Sequence, residues 1–230
     1  MVLFDYRRGR GREGPDDIQK DYQGYLQTDG YAAYDDFDTR KGITLMHCMA
    51  HARRKFSDAL QNDKVRAEYA LSMFQKLYAI ERNIKDEQLD TDAILELRHQ
   101  EAVPVLKHLK DWMTDEYPKV LPKSPIGQAI AYSLPRWDKL SVYASNPILN
   151  IDNNPVENAI RPVAIGRKNY LFAGSDEAAQ RAAMIYSLFA TCRLHKINPY
   201  DWLKDVLARM HLYSTSNISE LLPHNWKKLE

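Results

Sequence analysis

The 230-residue sequence predicts an α/β fold in which a small sheet is followed by a largely helical remainder. Three observations predict it. Short apolar runs bounded by Gly, Asp and Arg cluster within the first ~50 residues and are scarce afterwards. From Ala52 the apolar period changes from two to about 3.6. Two later segments, at Asn154 and Asn198, carry strong helix-start signals.

The strand candidates are Val2-Leu3-Phe4-Asp5-Tyr6, Gly24-Tyr25-Leu26-Gln27-Thr28 and Ile43-Thr44-Leu45-Met46. The first ends in a Gly/Arg-rich turn and the second in Asp29-Gly30. Three helical stripes follow: Tyr69, Met73, Leu77, Ile80 and Ile84; then Ile94, Leu97, Val105, Leu106, Leu109 and Met113, interrupted at Pro104; then Ile126, Ile130, Leu134 and Trp137. Asn154-Pro155-Val156-Glu157 joins an N-cap, a first-turn proline and a glutamate in capping-box position. Asn198-Pro199-Tyr200-Asp201 repeats the arrangement, and Asp176 to His195 reads as a long helix capped by Ser175. The tail around Trp226 reads as irregular and anchored by its tryptophan.

Composition is that of a soluble globular chain, 44% hydrophobic and 27% charged. No run approaches the ~18 apolar residues of a membrane helix, so no membrane partner is expected. The opening residues lack the order of a signal peptide, and two cysteines make no disulfide framework, which points to the reducing cytoplasm. Net charge is only +1, so composition alone does not indicate nucleic acid. The distribution is more informative. Arg7, Arg8, Arg10 and Arg12 cluster, as do Arg53, Arg54 and Lys55, and again Arg161, Arg167 and Lys168. Between Glu81 and Glu101 seven acidic side chains outnumber three basic ones. A basic working face offset by an acidic helical segment accounts for this, although charge runs are also ordinary solvated surface.

Three segments hold residues suited to chemistry. Asp29 follows a strand, where a carboxylate at the rim of a sheet can hold a metal and Gly30 lets a phosphate approach; an Asp-Gly turn is the structural alternative. Glu157 lies in a helix's first turn with Arg161 one turn on, an arrangement that a capping box also explains. His47-Cys48-Met49-Ala50-His51-Ala52-Arg53-Arg54-Lys55-Phe56 offers three adjacent cations for a DNA backbone. The Cys-x-x-His spacings at Cys48/His51 and Cys192/His195 leave a weaker zinc alternative.

Taken in order, these segments resemble the transposase family of insertion sequence 66. Thr28-Asp29-Gly30-Tyr31-Ala32-Ala33-Tyr34 resembles its second-aspartate segment, Cys48 to Phe56 its basic block, and Asn153 to Pro162 the block with its catalytic glutamate. Gly166-Arg167-Lys168-Asn169 and Leu171 to Ser175 continue the likeness, and Ser187 to Trp226 resembles its C-terminal segment. The resemblance implies a DDE enzyme with an incomplete ribonuclease H-like sheet, a large all-helical insertion and a helical C-terminal part. The implied divisions are 1–55 for the partial sheet, 56–145 for the insertion, 146–196 for the glutamate region and 197–230 for the C-terminal segment. Asp29 and Glu157 become the second and third catalytic acids and ligands of Mg2+ or Mn2+. Arg53, Arg54, Lys55, Arg161, Arg167 and Lys168 become DNA contacts. The family's first aspartate has no counterpart here, which implies a truncated transposase, inactive by itself, whose parent cuts and joins DNA. A non-catalytic remnant that binds DNA or full-length transposase, or self-associates, is the alternative, and a helical interaction protein a weaker third.

Overall fold

The computed structural model describes residues 1–228. The chain divides into two compact units: a strand-containing unit, Gly11–Asn153, and a terminal unit that joins Met1–Arg10 to the residues from Asn154 onward.

The strand-containing unit opens with a short helix α1 (Glu13–Ile18), whose Asp16 pairs with Arg40. Strands β1 (Gly24–Thr28) and β2 (Ile43–His47) pair in parallel, with Gly24 opposite Ile43 and Thr28 opposite His47. Parallel strands need a long crossover, and a 3-10 helix at Ala32–Thr39 occupies it. Leu45, Met46 and His47 are consecutive yet all buried, so both faces of β2 are covered at its C-terminal end.

Helix α2 (Met49–Asp58) leaves directly from β2 and turns Met49, Ala52 and Phe56 inward. Helix α3 (Lys64–Asp86) is capped by Asp63, whose carboxylate accepts from Arg66 N–H at 3.1 Å, and buries Met73, Leu77, Ile80 and Ile84. Helix α4 (Thr91–Leu97) is capped by Asp90 and runs through a π-turn (Arg98–Ala102) into α5 (Val103–Glu116). The interruption expected at Pro104 is thus a widened turn just before it. A proline in continuous α-helix lacks one N–H and clashes with the carbonyl four residues back; the π-turn meets both problems without ending the helix. Helices α6 (Pro125–Ser133), capped by Ser124, and α7 (Trp137–Ser141) complete the unit, separated by a 3-10 turn at Leu134–Arg136. No strand occurs between residues 66 and 143.

Met46 of β2 and the inner faces of α2 to α7 share one core, in which Phe56 and Phe74 meet at 5.6 Å between ring centroids. Arg98 lies within it at 3% exposure. Its guanidinium donates to both oxygens of Glu81 (2.9 and 2.6 Å) and to the carbonyls of Tyr143 (2.8 Å), Asn146 (2.8 Å) and Leu149 (3.0 Å). A buried guanidinium is tolerable only when its donors are met in this way.

The terminal unit holds α8 (Asn154–Tyr170), α9 (Asp176–Leu194) and α10 (Pro199–Arg209). Ser175 caps α9 and Asn198 caps α10, as their sequences predict. Val2–Tyr6 corrects the first strand expectation: among the described residues it pairs with no strand. Its alternation is still expressed, because Val2, Phe4 and Tyr6 are half-buried while Leu3 and Asp5 are exposed. The N–H groups of Val2 and Phe4 donate to Thr191 Oγ1 (3.1 Å) and Ser187 Oγ (2.7 Å) of α9, and Tyr6 Oη donates to Asp176 (2.7 Å). Helix hydroxyls stand where a neighbouring strand's carbonyls would. In the tail, Trp226 Nε1 donates to Asp205 at 2.6 Å, so the tryptophan anchors the segment. Among the described residues no helix is long and apolar enough to cross a membrane.

Candidate active site

Asp29 is the first residue beyond β1, and local chemistry fixes the end of that strand. Thr28 Oγ1 lies 3.1 Å from Nδ1 of His47, its register partner on β2, and both side chains are buried. Burial first, then the fields of Lys139 and Arg136, lower the His47 pKa to about 4, so the ring is neutral near pH 7. The Asp29 side chain is exposed, and one carboxylate oxygen accepts the Tyr31 N–H at 2.9 Å in a local turn. No cation pairs with it among the described residues.

Gly30 has φ +83°, a conformation that disfavours side chains, and space explains the glycine further. A Cβ there would stand 2.7 Å from Tyr132 Oη and 3.4 Å from Arg136 Nε. Tyr132 Oη donates to the Asp29 carbonyl at 3.0 Å, so the end of α6 rests directly on this turn. Arg136 sits over the Tyr132 ring at 4.5 Å and donates from Nη1 to the Tyr132 carbonyl at 3.2 Å. Lys55 Nζ lies 5.6 Å from the same ring. Burial raises the Tyr132 and Tyr34 hydroxyl pKa values, and the negative charge of Asp29 adds to both shifts.

Of the residues expected at the site, this unit gathers Asp29 and Lys55; Arg53 and Arg54 are exposed on α2 beside Lys55. Glu157 lies in the first turn of α8 and Arg167 and Lys168 in its last, all exposed, with Arg161 exposed between them. Each charge suits its end of the helix dipole. Asp29 and Glu157 therefore belong to different units. Sequence reasoning missed Tyr132 and Arg136. They are four apart, on a helical face off the apolar stripe, which signals a cation–aromatic pair but not its target.

The zinc alternative gains no support. Cys48 Sγ accepts the Asn153 N–H at 3.4 Å, and burial raises the pKa of both cysteine thiols, opposing the thiolate a metal needs. The two Cys/His pairs also lie in separate units. Among the described residues no three His, Cys, Asp or Glu side chains are grouped to hold a metal ion.

Residues 1–181 match the family model of the transposase IS66 family, and residues 187–224 match that of the IS66 C-terminal element. The chain belongs to the IS66 transposase family. Two similar proteins of Sinorhizobium fredii (strain NBRC 101917 / NGR234) are "Uncharacterized protein y4hP", 34% identical over 96% of this chain, and "Uncharacterized protein y4jD", 33% identical over 90%. The IS66 chain spans about two fifths of these relatives, 42% of each. No solved structure matches it. Both acids and all six expected DNA contacts fall within the stretch matched by the transposase model.

Proposed function

We propose that this chain contributes the second and third carboxylates, Asp29 and Glu157, to a DDE-type site that cuts and joins DNA within a ribonuclease H-like fold. The observation that carries the reading is an exposed carboxylate at the C-terminal end of a parallel strand, on a glycine turn packed by Tyr132, with Arg136 and Lys55 against that ring. Open α/β sheets bind ligands at the carboxyl ends of their strands. The two acids are hard oxygen donors, which suit Mg2+ or Mn2+.

Asp29 and Glu157 would hold that metal, which when bound activates water or a DNA 3′-hydroxyl for attack on a phosphodiester. Asp29 presents its outer carboxylate oxygen, because the Tyr31 N–H already orients the inner one. Arg53, Arg54, Lys55, Arg161, Arg167 and Lys168 hold flanking phosphates, which position the duplex without reading its bases. The family's first aspartate has no counterpart in the 230 residues, so the chain holds two of three acids. Residues 56–145 form the helical insertion, between the partial sheet of 1–55 and the glutamate region of 146–196.

The test uses Fe2+ in place of Mg2+, with ascorbate and peroxide, so that radicals cut the polypeptide beside bound metal. Cuts near residues 29 and 157 that Mg2+ suppresses and Asp29→Ala abolishes are expected. Cuts elsewhere, or unchanged cutting in Asp29→Ala, would overturn the assignment.

A further inference from the structure

The guanidinium of Arg136 is held in place with most of its donors unused. Its plane is fixed by the Tyr132 ring and the Nη1 bond to the Tyr132 carbonyl. Its Nε is enclosed beside Gly30 with no hydrogen-bond partner, and no carboxylate pairs with the side chain among the described residues. Lys139, one turn on, is matched by Asp38 at 2.8 Å, so its charge is locally balanced. Arg136 and Lys55 share the Tyr132 ring and have no such match. The enclosed Nε is out of reach of an anion, but the outer guanidinium edge keeps unpaired N–H donors held in one orientation, which is the geometry that grips a phosphate.

The same ring reports where the anion would sit. Tyr132 bonds the Asp29 carbonyl and, with Arg136, packs against Gly30 where a Cβ would clash. The cations thus flank the turn that displays the carboxylate. Asp29 alone would repel a phosphate at this position.

We propose that Arg136, assisted by Lys55, binds the DNA phosphodiester lying next to Asp29, making the α6–α7 turn of the helical segment part of the substrate site. The inference rests on the reading of Asp29 given above and adds to it a phosphate-binding residue from outside the strand region. An arginine that only balanced Asp29 would have no effect on DNA affinity beyond a general change in charge.

The experiment measures binding of a fluorescein-labelled duplex of arbitrary sequence to the 230-residue chain between 50 and 200 mM salt. The variants are Arg136→Gln, Arg136→Lys, Lys55→Gln and, as a control for exposed charge, Lys107→Gln, with melting curves for each. Arg136→Gln and Lys55→Gln should each weaken binding about tenfold and reduce the salt slope by about one. Arg136→Lys should restore the slope and part of the affinity, and Lys107→Gln should change little. If Arg136→Gln destabilises the fold, Arg136→Met, which keeps an apolar stem against the Tyr132 ring, carries the same expectation. Arg136→Gln matching Lys107→Gln, in a chain that binds DNA, would overturn this inference and leave the Asp29 reading standing. Absence of salt-sensitive binding by the unmodified chain would overturn both.

Discussion

The two units hold their helices by different means. In the strand-containing unit, Phe56, Phe74, Leu77, Leu109, Met113, Ile130 and Leu140 are fully enclosed, and α3, α5 and α6 each bury a stripe. In the terminal unit, α8 buries no residue, and Val156, Ile160, Ile165 and Phe172 are 63%, 50%, 54% and 76% exposed. Its buried apolar residues are few, chiefly Cys192, Trp202 and Leu221 among those described. Asp29 is thus carried by a packed scaffold, and Glu157 by a helix whose apolar side is exposed. Local signals suffice to start a helix, but burial holds most helices in place. The difference is a ranking of which substitutions should matter for chemistry and which for folding.

The largest effect is expected at the two carboxylates, whichever unit carries them. If the proposed site is correct, Asp29→Ala and Glu157→Ala, each made in a transposase that contains these residues and supplies the first acid, should reduce strand transfer on element-end DNA by about a thousandfold or more. The 230-residue chain alone should give no strand transfer in Mg2+ or Mn2+. An active Glu157→Ala enzyme would break the claim that both units serve one site.

Next in size is a contrast in stability. Phe74→Ala should cost about 3–5 kcal/mol in urea unfolding, through lost burial and the cavity left against Phe56. Phe172→Ala, at an exposed position, should change stability by less than about 0.5 kcal/mol. Comparable costs at the two positions would mean that the terminal unit has a core after all.

Acid should act selectively on the strand-containing unit. His47 is neutral in the fold with a pKa of about 4, while the unfolded ring titrates near 6.5. Between those values the unfolded state binds a proton that the folded state does not, so stability rises with pH. The contribution is complete above about pH 6.5 and lost as pH falls towards 4, on the order of 3 kcal/mol. His47→Gln should flatten this part of the profile in pH-dependent melting; an unchanged profile would assign the acid sensitivity to other groups.

The smallest effect tests the caps of the terminal unit. Ser175→Ala removes the hydroxyl that accepts the Ala178 N–H and should cost about 1 kcal/mol, read as faster amide exchange in the first turn of α9. A cost near zero would show that α9 is held by packing, as the helices of the other unit are.

Much of this architecture was legible from residue order. The stripe Met73-Leu77-Ile80-Ile84 is the buried face of α3, and Ser175 and Asn198 cap the helices they precede. β1 and β2 fall where apolar runs meet turn residues. These features are local: a cap needs the next three residues, and a stripe needs only the helical period. The family blocks around Asp29, Cys48 to Phe56 and Glu157 were equally legible, since they are runs of adjacent residues.

Tertiary structure decided what depends on neighbours distant in sequence. Val2–Tyr6 has the alternation of a strand, but pairing needs another backbone, and the hydroxyls of Ser187 and Thr191 take that place. Arg98 lies in a segment whose charges resemble solvated surface, yet Glu81 and three carbonyls draw it into the core. Gly30 could be read as a turn glycine, but its need for space is set by Tyr132 and Arg136, about a hundred residues on. Residue order alone was enough to show where α9 and α10 begin and which side chains are candidates for chemistry. Which cations stand beside Asp29 was decided only when a helix of the long helical segment packed onto the strand's end, because charge and shape complementarity act through space and leave no period in the chain.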